Sequence, residues 1–346
     1  MNRAPASDAG EGHHAEKTLN GRKMLSWVIA TGFTLGLLYW SLRDLSLVAL
    51  GQTLSQIQPL WLLVGFVAYL GVFGLRAWRW GLLLAADGWP GRFRDRFDAF
   101  FIGYAANSIL PASAGEVVRA VLLNRLAQVP TQTALGSVLG EKLMDVLVVF
   151  VLLAMALARQ PRLAEQLPLG LMAGAIGAMV GVFWILARYP QPVVAGVGRL
   201  LAGVRLGRWR SPAEQALLGI LAGLSIYRQP RRFLGALGAS TLAWLLNGIT
   251  YWAVLMALGI TAPGWLGAIA AQSLTAFAIA LPSSPGFVGP FEAAVRLGLG
   301  LYGVGVTEAI AAALVLRLLM YGITPLVGLA IALRLGLSRA DLQGKS

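Results

Sequence analysis

The chain has 346 residues, of which 57% are hydrophobic and only 12% charged, with a mean hydropathy of +0.70 and a formal net charge of +13. Soluble domains carry about 25% charged residues, so a water-soluble fold with an ordinary charged shell is excluded and a polytopic membrane protein is expected. The positive charge sits in short loops between apolar runs, the pattern of topology-setting cytoplasmic loops, which argues against nucleic acid as a partner.

In chain order, residues 1–23 read as a disordered cytoplasmic tail that holds both histidines, His13 and His14. A polar stretch precedes the first apolar run, and that run ends without a small-residue cleavage site, so no cleavable signal peptide is expected. Cysteine is absent, which removes disulfides, thiolate metal sites and cysteine nucleophiles. No metal or cofactor is expected.

The rest, 24–335, reads as one all-α transmembrane domain, followed by a short cytoplasmic tail over 336–346. Helices satisfy their own backbone groups in lipid, and the apolar runs predict spans over 24–41, 60–86, 134–157, 169–187, 233–258 and 309–333. Two further stretches, 98–124 and 264–305, are broken near their middles, the first at Pro111 and Gly115, the second at Pro282, Pro285, Gly286, Gly289 and Pro290. Each is predicted to form a re-entrant pair of half-helices hinged at the break. Arginine and lysine then fall overwhelmingly on one side, which places both termini in the cytoplasm of a bacterial inner membrane. Spanning pairs at the breaks would give the same charge bias, so the breaks themselves carry the re-entrant reading.

L-P-x-S-x-G occurs at Leu110–Gly115 and again at Leu281–Gly286, an offset of 171. An aromatic-rich span precedes each copy, G-L-R-A-W-R-W at 74–80 and W-L-L-N-G-I-T-Y-W at 244–252, and related text follows, E-K-L-M-D-V-L at 141–147 and R-L-L-M-Y-G-I at 317–323. The unit of span, broken hairpin and span is therefore written twice, about 60–157 and about 233–333. The predicted spans give the two copies opposite topologies. Inverted repeats with discontinuous helices point to a transporter with a site near the midplane.

Ionisable residues inside spans are costly and mark functional cavities. Glu116 and Arg119 follow the first break, and Glu292 and Arg296 follow the second. Arg76 lies inside the second span, Glu141 and Asp145 share a helix face, and Arg317 sits mid-span in the last helix. These eight are the candidate substrate-binding residues, with arginines available to a phosphate and carboxylates to a cation or a proton. Arg79, Lys142 and Arg125 fall near predicted ends and read as internal ion pairs or snorkelled residues. Ser113 and Ser284 cap the half-helix ends or meet a headgroup. Most of the 11 tryptophans read as interfacial anchors.

The motifs G-L-R-A-W-R-W, N-S-I-L-P-A-S-A-G-E-V-V-R, G-E-K-L-M-D, L-P-S-S-P-G-F-V-G-P-F-E and R-L-L-M-Y together resemble the flippase-like membrane domain of the lysylphosphatidylglycerol synthase family, over roughly residues 20–335. The resemblance implies a translocase for a polar-headgroup lipid, such as an aminoacyl-phospholipid, a hopanoid or a polyprenyl-linked lipid. It adds Asn107 to the site and implies roles for Pro111, Ser113, Gly115, Pro282, Ser284, Gly286 and Gly289. The chain ends soon after its last span, so the soluble synthase half of two-domain members is not expected. One departure stands out, because family members commonly double the glycine after S-P-G and here Phe287 and Val288 follow Gly286.

No nucleotide-binding P-loop occurs, so energy is expected from a lipid gradient, a proton or a partner. The alternatives are an intramembrane lipid-modifying enzyme, which lacks an obvious acidic metal cluster here, and a scaffold subunit of a lipid-assembly complex, which has no need of charged spans. A lipid-synthesis enzyme as partner and a homo-oligomer are both compatible with the translocase reading.

Overall fold

The computed structural model describes residues 32, 34–109, 114–158, 169–203, 214, 217–218, 220–221, 224–280 and 285–337. Both predicted tails fall outside these residues almost entirely, as do Pro111, Ser113, Pro282 and Ser284 of the predicted hinges and site. Among the described residues the chain is all helix and turn, and it is a membrane protein. Among the described residues three helices are long and apolar enough to cross a bilayer, Pro59–Ala86, Pro230–Ala257 and Val306–Arg334.

The elements in order are α1 (34–42), α2 (Leu47–Ser55), α3 (Pro59–Ala86), α4 (Phe93–Ile109), α5 (Gly115–Ala127), α6 (Thr131–Ala158), α7 (Leu169–Arg188) and α8 (Pro190–Gly203). A 3-10 turn (Ser225–Arg228) leads to α9 (Pro230–Ala257), α10 (Gly264–Ala280), α11 (Pro290–Gly300) and α12 (Val306–Arg334). Five of the six predicted spans match α3, α6, α7, α9 and α12 to within a few residues, and the first, 24–41, lies in part outside the described residues. Helices α2 and α8 are additions, and α8 lies between the predicted spans 169–187 and 233–258.

Local sequence explains the two central spans. Both α3 and α9 begin with proline at the first helical position, where a missing N–H costs nothing. Each stops just before a glycine in the left-handed region, Gly88 (φ 82°) and Gly259 (φ 71°), the conformation that ends a helix most cheaply. Along α3, Tyr69, Val72, Phe73, Arg76, Ala77, Trp80 and Leu84 are buried while Leu60, Leu63, Val67 and Trp78 face outward. That is a helical stripe, and it carries an arginine into the interior.

Helices α3 and α9 form the most extensive helix pair among the described residues. They run antiparallel: the Gln58 N–H donates to Ala257 O (2.9 Å) at one end, and Gln229 Nε2 donates to Ala86 O (3.0 Å) at the other. Between those ends Gly65 lies against Thr250 and Ala253. Small residues at such crossings let helices approach closely where lipid supplies no hydrophobic drive.

Each broken stretch folds as an antiparallel helical hairpin. In the first, Gly103 of α4 lies against Gly115 and Arg119 of α5, and Gly91 lies against Ala127. A Cβ at Gly115 would overlap the Gly103 carbonyl oxygen, so the hairpin closes only with glycine there. In the second, Gly298 of α11 lies against Ala271 of α10 and Gly267 against Tyr302. The return arms α5 and α11 have 13 and 11 residues, or roughly 20 and 17 Å at 1.5 Å per residue, short of a hydrocarbon core of about 30 Å.

The hairpins then cross over. Helix α10 packs on α6, and α4 packs on the second half of α12, where Gly328 meets Ala105. Arg334 pairs with Asp98 at the end of this contact. The result brings α3, α4, α5, α6, α9, α10 and α12 around one interior space.

Candidate functional site

That space is a cavity of about 210 Å³. A single water needs only about 10–15 Å³ of such volume, so there is room for a small polar group. Its walls carry Tyr69 and Arg76 from α3, Tyr104 and Asn107 from α4, Glu116 and Arg119 from α5, and Glu141 and Asp145 from α6. The other half of the chain supplies Trp244 and Asn247 from α9, Gln272 and Thr275 from α10, Phe287 at the second break, Phe291 from α11, and Tyr321 and Thr324 from α12.

Arg79 is the centre of the charge network. Its side chain is 0% exposed, and Nη2 lies 2.9 Å from Glu141 Oε1. It also pairs with Asp145, with Nη2 to Oδ2 at 3.2 Å, and reaches Ser240. Glu141 is shared, because Arg119 Nη1 donates to its two oxygens at 3.3 and 3.2 Å. Asp145 accepts a further bond from Trp244 Nε1 at 3.0 Å. The Arg119 guanidinium lies over the rings of Trp80 (5.1 Å) and Phe100 (4.6 Å). Removing one member of such a buried set strands the others, at a cost of about 3–5 kcal/mol.

Glu116 and Arg119, adjacent on α5, do not pair with each other. Glu116 pairs with Lys142 of α6, whose side chain is half exposed, so one ion pair lies near the cavity's rim and the other inside. A neutral chain continues across the cavity, in which Asn247 Nδ2 donates to Gln272 Oε1 (3.1 Å) and Gln272 Nε2 donates to Trp244 O (2.9 Å).

The half-helix ends are held by different chemistry. At the first break the Gly115 N–H donates to Asn107 Oδ1 at 2.7 Å. At the second, the Gly289 N–H donates to Glu292 Oε2 at 2.8 Å, a cap from within the helix's own first turn. The other oxygen of Glu292 takes Arg317 Nε at 2.5 Å, and Arg317 Nη1 donates to Gly286 O at 2.7 Å. Arg317 also lies over Phe291 (4.9 Å) and Tyr321 (5.4 Å), both lining residues. The backbone is left-handed at Gly286 (φ 69°), Phe287 (φ 56°) and Gly289 (φ 91°). A side chain at the second of these is strained, and it stands where relatives were expected to carry glycine. The Ser108 carbonyl oxygen lies 3.7 Å from where a Gly286 Cβ would stand, so the two breaks adjoin.

Of the predicted site residues, Arg76, Asn107, Glu116, Arg119, Glu141 and Asp145 line the cavity, as does the hinge Gly115. Glu292, Arg317 and Gly286 adjoin it, and Pro285 opens the turn beside it. Arg296 is elsewhere. It pairs with Asp44 Oδ2 (2.6 Å), donates to the carbonyls of Trp40 and Ser41, and lies over the Trp40 ring (4.5 Å). The hydrogen bond from Arg296 holds the exposed Asp44 carboxyl below its ordinary range.

Sequence reasoning did not place Arg79, Tyr104, Trp244, Asn247 or Gln272 in the site. The only signal was positional: Arg79 and Arg76 share a helix face, and Asn247 is the residue that the 171-residue offset sets opposite Arg76. Trp80 and Trp244, read with the other tryptophans as anchors, are interior residues.

Residues 27–328 match the family described as the lysylphosphatidylglycerol synthase TM region. Among curated proteins the chain is similar to the glycosyltransferase AglD of Haloferax volcanii, 26% identical over 316 residues that cover 83% of this chain and 51% of that protein. The chain thus spans about half the length of this relative. No solved structure matches it.

Proposed function

The chain belongs to the lysylphosphatidylglycerol synthase transmembrane-region family, and on that premise we propose that it is a lipid translocase of the cytoplasmic membrane. A polar headgroup passes through the charged cavity while the acyl chains stay in the surrounding lipid. The observation that carries this reading is a paired charge network lining a cavity that two antiparallel hairpins and their flanking spans enclose. Charges at that depth are costly in a protein that only needs to span, and they become useful where a headgroup must leave water.

We read the two units as inverted repeats with re-entrant hairpins. The antiparallel run of α3 against α9 supports this, since these are the first spans of the two units. So does the reciprocal crossing, α10 on α6 and α4 on α12. Rocking of one unit on the other would then expose the cavity to each face in turn.

The test is leaflet exchange in proteoliposomes, followed by chemical quenching of a fluorescent phospholipid from outside. The wild-type chain accelerates exchange. Glu141→Gln, which unpairs Arg119 and leaves Arg79 only Asp145, slows it by about tenfold or more, while Arg296→Gln leaves the rate as it was. Vesicles that exchange no faster with the protein than without it would sink the proposal.

A second reading has one observation behind it, the name of the archaeal relative. Transfer of sugar to a lipid carrier would appear as label moving from a sugar donor into the lipid phase. The relative has a further half that this chain does not match, so its name attaches to a longer protein.

A further inference from the structure

Every carboxylate in or beside the cavity already has a cation. Glu141 is held by Arg79 and Arg119, Asp145 by Arg79, Glu116 by Lys142, and Glu292 by Arg317. Arg76 is the cation left over. It is 7% exposed and lines the cavity, and no carboxylate among the described residues lies within ion-pair distance of it. Its Nη1 donates to the Tyr104 hydroxyl, its guanidinium lies 5.1 Å from the centre of the Trp244 ring, and its Nε is buried without a hydrogen-bond partner. The Nε atoms of Arg79 and Arg119 are also unpartnered, but both arginines hold carboxylates on their other nitrogens.

A buried guanidinium with no ion pair of its own is expensive, and the nearest carboxylates, Asp145 and Glu141, are already engaged by Arg79 and Arg119. Its neighbours share its sign of need. The Tyr104 hydroxyl accepts from Arg76, so its own O–H remains to donate. Asn107, three residues on and so on the same face of α4, gives its oxygen to Gly115 and has amide hydrogens left to offer. Together these groups are donors converging on one wall.

Resting on the translocase reading, we propose that the group this cavity accepts is anionic, a phosphate ester whose oxygens are read by Arg76 with Tyr104 and Asn107. A guanidinium fork with a free edge suits two oxygens of a phosphate better than one point charge does. The site prefers phosphate-bearing lipids to uncharged ones of the same tail, and it gives a cationic group no free carboxylate to meet.

The experiment uses the full chain in an uncharged maltoside detergent, with bound ligand counted by native mass spectrometry. The probes are dioctanoyl phosphatidylglycerol, dioctanoylglycerol with the same tails and no phosphate, and glycerol phosphate. The phosphate-bearing lipid is expected to bind about tenfold or more tightly than the neutral one. Arg76→Gln removes that preference by weakening the binding of the phosphate-bearing lipid toward that of the neutral one. Arg76→Lys keeps part of it, and Tyr104→Phe, which keeps the ring, weakens it severalfold. If Arg76→Gln does not fold, the wild-type preference and Tyr104→Phe still decide the matter. Equal binding of the two lipids, or a preference that survives Arg76→Gln, overturns the proposal. Glycerol phosphate binding as tightly as the lipid overturns the lipid source. Exchange of neutral lipids with no preference for phosphate keeps the translocase and rejects the anion site. Tight anionic binding without exchange does the reverse.

Discussion

The two breaks share a motif and are held by unlike means. The first half-helix, α5, takes a neutral cap from Asn107 on the preceding arm. The second, α11, is capped by its own Glu292, which is also the counter-ion of Arg317 in the last span. Arg317 in turn donates to the Gly286 carbonyl. The first cap is thus uncharged, with the charges of its arm, Glu116 and Arg119, spent on α6, whereas at the second break the capping residue is itself the partner of a charge in a membrane span. The difference teaches that duplicated text does not give duplicated mechanics.

The largest effect should come from breaking the Glu292–Arg317 pair. Arg317→Leu leaves Glu292 buried and unpaired and should cost about 3–5 kcal/mol, read as a drop in the thermal unfolding midpoint in detergent. Adding Glu292→Gln to it should restore part of the loss. Asn107→Ala should cost about 1 kcal/mol, as a lost helix cap does. If it costs as much as Arg317→Leu, the two breaks are equally anchored and the contrast fails. The smallest effect has the opposite sign. Phe287→Gly should relieve a left-handed side chain and stabilise by up to about 1 kcal/mol, and an unchanged or lower midpoint would show that the ring's packing against the cavity outweighs the strain.

Much of this was legible beforehand. The spans follow from apolar runs, the breaks from proline and glycine, and five of the cavity's lining residues from charges that lipid does not tolerate, with Asn107 added by the family resemblance. The rest depended on partners that no local pattern reveals. Arg79 reads equally as an internal ion pair or a snorkelled residue, and only the fold decides for the first, by turning it inward onto Glu141 and Asp145. Glu292 and Arg296 have the spacing of a pair, but Glu292 is taken by Arg317, twenty-five residues away, and Arg296 turns to α1. Tyr104, Trp244 and Gln272 look like ordinary members of apolar helices until Arg76, Asp145 and Asn247 are set beside them. Spacing finds the charges, and only the folded chain shows which are already spent.

Directly after Arg317, the last helix widens into a single π turn over Leu318–Gly322 before resuming at Ile323. Upstream, Ala309, Ile310, Ala311, Ala312, Ala313, Val315 and Leu316 are buried, a broad inner face; downstream, the buried positions narrow to Thr324, Gly328 and Ile331. One residue is worth about 100° of rotation at 3.6 residues per turn. The π turn therefore lets Arg317 address the second break while Gly328 addresses α4, from one continuous rod. Deleting a residue within 318–322 would produce a more regular helix that points one of its two ends at the wrong neighbour.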